Sequence, residues 1–179
     1  MPDKPIVVLE SEEIAQWKGS CLVRDQVRLP SGRKIDKVTV RHPGAVVILP
    51  AFADGSILLT WQYRHSIARY ILELPAGTLE PDEAPLACAQ REITEEVGHS
   101  AAEWIELGTI YPSPGFCDEV QYFFLARDLE PTDLNPDEDE IIEVRRYSNA
   151  QVDDAIISGA IEDGKSLALL ARARARGLI

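Results

Sequence analysis

The segment from Gly77 to His99, GTLEPDEAPLACAQREITEEVGH, constrains the fold more than any other part of this chain. From Asp82 to Val97 its apolar residues recur at helical spacing. Leu86, Ala89, Ile93 and Val97 fall within about 80° of arc and make one stripe for a core. Asp82 or Glu83 is placed to cap the start, Pro85 occupies the tolerant first turn, and Gly98 is placed to end the helix. The acids of this helix are harder to explain as scaffold. Glu92, Glu95 and Glu96 crowd its C-terminal end, beside Arg91. Glu92 and Glu96 lie about 40° apart on one flank of the stripe, which is read as exposed. Like charges four residues apart cost roughly a few tenths of a kcal/mol, and the helix dipole disfavours anions at that end. Oxygen ligands at this spacing, with no His or Cys among them, point to a hard cation such as Mg²⁺ or Mn²⁺. Glu95 faces elsewhere, one turn after Arg91, where the two can pair. The plainer reading is a solvated acidic face, which is the commoner case for an acidic helix taken by itself.

Strand signals surround this helix. Leu22 to Leu29 and Lys34 to Val40 flank the turn-forming Pro30-Ser31-Gly32-Arg33, and the first forty residues read as strands. Val46 to Phe52 and Ile57 to Tyr63 flank Asp54-Gly55, the strongest short hairpin signal in the chain. A boundary near residue 42 divides a small β appendage, 1–42, from a main domain, 43–179. Further strand-like runs occupy Trp104 to Tyr111, Val120 to Ala126 and Ile141 to Tyr147. Ser148-Asn149-Ala150-Gln151 forms a capping box for a short helix that stops at Gly159, and a last helix runs over about Ser166 to Arg176. Hairpins mixed with helices predict an α/β or α+β class with a mixed sheet.

Composition removes several functions. A net charge of −12 argues against nucleic acid as partner, because phosphate backbones are met with surplus Lys and Arg. An anionic small molecule would need local arginines or a bound cation. The three cysteines, Cys21, Cys88 and Cys117, share no metal-ligand spacing and fit a reduced, cytoplasmic setting. The beginning of the chain lacks an apolar leader, and the longest apolar segment, Ala45 to Ala53, is too short to span a bilayer. A soluble protein without membrane partners is expected.

The spacing Gly77, Glu83, then Arg91-Glu92-Ile93-Thr94-Glu95-Glu96-Val97-Gly98 resembles the Nudix box. Seven fixed positions match by chance on the order of 10⁻⁸ times per window, so coincidence is set aside. His99 stands where the family usually has an aliphatic residue, and is read as a packing substitution. The resemblance extends over most of the chain. Gln62-Tyr63-Arg64, Glu73-Leu74-Pro75-Ala76-Gly77, Tyr111 to Phe116 and Asp137 to Glu140 look like the ADP-ribose pyrophosphatase branch.

That resemblance implies an α/β/α sandwich with a mixed sheet, plus a small N-terminal antiparallel sheet used for dimerisation. It implies Glu92 and Glu96 as Mg²⁺ or Mn²⁺ ligands, together with the Ala76 carbonyl. Glu138 and Glu140 fall in the loop that supplies the acid acting on the attacking water, with Glu138 preferred as base and Glu140 as a further metal ligand. Arg64 matches an arginine that grips the substrate's phosphates, Glu73 an acid near the sugar or phosphate end. Gly115 and Phe116 match a loop that contributes to the substrate pocket. Gly77, Glu83, Arg91, Glu95 and Gly98 are structural members of the box. The implied reaction is hydrolysis of ADP-ribose to AMP and ribose 5-phosphate. The alternatives are a broader nucleoside-diphosphate-sugar hydrolase, GDP-mannose included, and a Nudix fold retired from catalysis to sense a ligand. The complete set of box acids counts against the last.

Overall fold

The computed structural model describes residues 5–133 and 141–179. Its internal contacts divide the chain into two units, Met1–Gly44 with Tyr111–Val120, and Ala45–Ile110 with Gln121–Ile179.

The first unit is an antiparallel sheet of β1 (Val7–Trp17), β2 (Ser20–Arg28) and β3 (Lys34–Arg41), in that order. The expected turn between β2 and β3 forms, with Gly32 in the left-handed region at φ 86° where a side chain would be strained. β2 alternates in burial and turns Val23, Asp25 and Val27 inward. Arg41 donates to the buried Asp25 at 3.1 Å and to Asp118 at the same distance. The segment from Tyr111 to Val120 is tied to the end of β3, because Val40 N–H donates to Phe116 O at 2.8 Å and Asp118 N–H donates to Val40 O.

The second unit contains β4 (Ala45–Pro50), β5 (Ile57–Arg64), β6 (Arg69–Glu73), β7 (Ala76–Thr78), α1 (Pro85–Val97), β8 (His99–Ile110), β9 (Gln121–Pro131), β10 (Ile142–Tyr147), α2 (Asn149–Ile157) and α3 (Gly164–Ala175). One sheet has the order β7-β4-β9-β8 and is mixed, since β4 runs parallel to β9 and antiparallel to β7. The other, β10-β5-β6, is antiparallel. β4 is buried along its whole length, as its unbroken apolar run requires. Val46 and Ile48 pack with Cys88, Ala89, Ile93 and Val97 of α1. Val47 and Leu49 pack with Val152 and Ala155 of α2 and with Leu169, Leu170 and Ala173 of α3. Helices therefore cover both faces of the mixed sheet, the sandwich that the resemblance implies.

Two local expectations are corrected. Asp54-Gly55 does make a turn, with Gly55 N–H donating to Phe52 O at 2.9 Å, but no hairpin ladder follows. Beyond one bridge, Ala51 to Ile57, the two strands part into different sheets. Both edges of β4 are taken by β7 and β9, and both edges of β5 by β10 and β6, so neither strand has an edge left for the other. The cap of α1 also differs. Ala84 is its N-cap, with no side-chain bond, and Pro85 fills the first position without needing a partner for an N–H. Gly98 ends the helix in the left-handed region at φ 63°. The Ser148–Gln151 capping box is present in both directions, at 3.3 and 2.9 Å. All three cysteines are free. Among the described residues, no helix is long and apolar enough to cross a membrane.

Candidate active site

Helix α1 is rotated about its axis relative to the expected stripe. Its buried positions are Cys88, Ala89, Glu92, Ile93, Glu96 and Val97, while Leu86 is left exposed. The flank carrying Glu92 and Glu96 therefore does not face open solvent as expected: Glu96 is 1% exposed and Glu92 8%. A buried carboxylate must be compensated by charge or hydrogen bonds, or its desolvation is prohibitive. Glu96 receives such help from the short strand β7 and Glu92 from Arg91.

Glu96 accepts a hydrogen bond from the Ala76 N–H at 2.9 Å. Glu92 accepts from Arg91 Nη1 at 2.7 Å and lies against the backbone of Gly77. A Cβ placed on Gly77 would stand 1.8 Å from the Glu92 carboxyl, and side chain and strand cannot both keep their places. Absence of a side chain at Gly77 is thus what admits a buried carboxylate beside β7. Gly77→Ala is expected to lower unfolding free energy by about 1–3 kcal/mol, the usual cost of overpacking, and to displace Glu92. Denaturant unfolding measures it, and a wild-type midpoint would refute the packing account.

Arg91 is the hub of the acidic end. Its Nε and Nη2 grip Glu83, each at 3.0 Å, while Nη1 also reaches Glu95 at 2.8 Å. Nη2 donates further to the Thr78 carbonyl at 3.3 Å, which fastens the helix to β7. Glu83, set aside as a cap, instead accepts from Arg91 and from Glu80 N–H, and the guanidinium lowers its carboxyl from an ordinary 4.5 to about 2. A depressed carboxyl contributes stability that is complete above the unfolded value and is lost as pH falls through the folded one. Glu83→Gln should therefore cost about 1–2 kcal/mol between pH 5 and 7, and the gap from wild type should close as pH falls from about 4.5 to about 2. Urea unfolding at stepped pH reads this, and a gap independent of pH would contradict it.

Arg64, at the end of β5, forms a two-pronged pair with Glu73 of β6, Nε to Oε1 at 2.7 Å and Nη2 to Oε2 at 3.0 Å. Burial pulls the Arg64 guanidinium down, but the Glu73 hydrogen bonds outweigh it, with Glu96 and Asp163 adding, and its pKa stands raised. Arg64 thus sits within the electrostatic reach of Glu96. Glu73 is fully buried, and the Oε2 atom that Arg64 holds is also held by Lys165 of α3. Sequence reasoning did not single out Lys165. It lies 92 positions from Glu73, and no local pattern links them.

The remaining expected residues divide cleanly. Gly115 and Phe116 belong to the first unit, where Phe116 is exposed and Gly115 has open space around its Cα. Glu138 and Glu140 lie outside the described residues. His99 packs, its ring edge-on to Phe52 at 5.9 Å and its Nδ1 2.8 Å from the Val97 carbonyl. Among the described residues, no three carboxylate, imidazole or thiol groups are gathered for a metal ion. Glu92 and Glu96 need further oxygen ligands if they are to hold one. Two buried carboxylates beside a strand's backbone fit a hard divalent cation better than a soft one.

The NUDIX domain family matches residues 40–170. An ADP-ribose pyrophosphatase of Bacillus subtilis (strain 168) is 36% identical over 162 residues, covering 88% of this chain and 86% of its own length. A GDP-mannose pyrophosphatase of Yersinia enterocolitica serotype O:8 is 34% identical over 160 residues, covering 83% and 82%. A solved structure of an ADP compounds hydrolase superposes with a TM-score of 0.86 over 98% of both chains, and its 22% identity makes this a likeness of fold.

Proposed function

The chain belongs to the Nudix family, and we propose that it hydrolyses the pyrophosphate of ADP-ribose to AMP and ribose 5-phosphate. The observation that carries this reading is the buried pair Glu92 and Glu96, seated against Gly77 and Ala76 with Arg64 in electrostatic reach. Glu92, Glu96 and the Ala76 carbonyl, joined by Glu140, would hold Mg²⁺, or Mn²⁺ in its place. When bound there, the metal neutralises the diphosphate oxygens that otherwise repel a nucleophile and orients the water.

The chain's own groups do the rest. Arg64 is more than a third exposed on its side chain and offers positive charge to the substrate's phosphates. Glu73 keeps its guanidinium aimed. Glu138 takes the proton of the attacking water. Gly115 and Phe116 are carried over from the resemblance as substrate contacts. We read residues 1–42 as a dimerisation element and 43–179 as the hydrolase domain. Support comes from β1, where Val7, Val8, Leu9, Ile14 and Trp17 are all exposed, more apolar surface than a lone strand normally leaves in water. We therefore propose a homodimer, which a monomer by sedimentation at micromolar concentration would remove, and a cytoplasmic setting in keeping with three free cysteines.

A second reading, hydrolysis of GDP-mannose, is favoured by the similarity to the Yersinia pyrophosphatase. Both share the carboxylate chemistry and differ in how base and sugar are read. Phosphate release in a coupled phosphatase assay with Mg²⁺ separates them, across ADP-ribose, ADP-glucose, GDP-mannose, UDP-glucose and 8-oxo-dGTP. A kcat/KM for ADP-ribose at least about tenfold above the rest, some 1.4 kcal/mol of discrimination, is the expected result. A profile led by GDP-mannose overturns the substrate, and no turnover with any of them overturns the enzyme.

A further inference from the structure

Lysine in the first turn of a helix is placed against the dipole, where a cation is disfavoured. Lys165 nonetheless occupies the first turn of α3, with a side chain only 12% exposed. Its ammonium pairs with Glu73 Oε2 and, at 3.0 Å, with Asp163 Oδ2. Asp163 is the α3 N-cap and accepts from Ser166 N–H at 2.9 Å, while the Ser166 hydroxyl accepts from Leu74 N–H at 2.7 Å. The start of α3 is thereby fastened to the same Glu73–Ala76 stretch that positions Arg64 and Glu96.

The charges of this cluster balance: Arg64 and Lys165 against Glu73 and Asp163. Without Lys165 the cluster as a whole, Arg64 included, goes from neutral to net negative, with Glu73 and Asp163 held where screening by water is weak. Glu73 would also lose one of the two cations that fix its orientation. Both changes weaken the attraction of Arg64 for an anion and loosen its aim.

We propose that Lys165 is a positioning residue for substrate binding: it neutralises and fixes Glu73, so that Arg64 is held ready for the substrate's diphosphate. This rests on the reading of Arg64 as the phosphate-gripping arginine.

The test is binding of ADP-ribose to the full chain in EDTA by titration calorimetry, with GDP-mannose as the probe if it leads the substrate panel, together with KM, kcat and the melting temperature. Lys165→Met should weaken binding and raise KM about tenfold while kcat stays within about threefold, and Lys165→Arg should recover most of the loss. In an Arg64→Ala background, Lys165→Met should have no further effect on binding, because its route of action is gone. Unchanged binding in Lys165→Met, with or without a lower melting temperature, overturns the proposal. So do losses that add in the double variant. Lys165→Gln takes the place of Lys165→Met if the latter does not fold. If Arg64→Ala alone binds like wild type, the reading of Arg64 is what has failed, and this proposal falls with it.

Discussion

Glu96→Gln leaves a protein that folds and loses about 10²–10³-fold or more in turnover. The amide oxygen can still accept from Ala76 N–H, and the shape of the side chain hardly changes. What disappears is a charge in a position that is 1% exposed. Burying a neutral amide costs less than burying a carboxylate, so without added metal the variant should melt at or above the wild-type temperature. Loss of activity with no loss of stability would mark Glu96 as placed for chemistry and not for the fold. Thermal unfolding in EDTA and turnover with saturating Mg²⁺ supply the two readings. A variant that keeps more than about a tenth of wild-type turnover sinks the assignment of Glu96 as a metal ligand.

Glu138→Gln is expected to lower kcat by about 10²–10⁴-fold while changing substrate affinity little, the signature of a lost proton acceptor. Arg91 occupies Glu83, Glu92 and Glu95, Arg64 and Lys165 occupy Glu73, and Glu96 faces Ala76. Each of these carboxylates is already committed to an ion pair or a backbone hydrogen bond. The base is placed in the acidic run Asp137 to Glu140 by the resemblance to the ADP-ribose pyrophosphatase branch, and that run lies outside the described residues. Single-turnover rates with binding measured separately make the distinction. If Glu140→Gln shows the large loss and Glu138→Gln a small one, the two roles exchange. If binding falls with kcat in both, neither is the base.

What was legible in the sequence was whatever is local. Helix α1, its glycine stop and the Ser148 capping box are written within a few residues of where they act. The spacing of Glu92 and Glu96 on one flank was legible for the same reason. Their burial was not, because it depends on Gly77 arriving beside them on another element, and on Cys88 rather than Leu86 turning to the core. Asp54-Gly55 specified a turn correctly and misled about the ladder, since strand partners are decided by which edges other strands have already filled. Lys165 was invisible because its meaning comes entirely from Glu73, a residue in another element with no periodic relation to it.

The parallel pairing of β4 with β9 joins residues 45–50 to 121–126. A stretch of roughly 70 residues must loop back before that ladder can close, and loop closure is an entropic cost that comes ahead of any reward. Assembly of the second unit is therefore governed by a distant encounter and not by its helices, which places it among slow-folding topologies. During synthesis, the glutamate-bearing helix leaves the ribosome before the strand that completes its floor. The machinery for cutting a pyrophosphate thus comes into being late, and a nascent chain stopped short of β9 carries all its box residues without the strand that completes their floor.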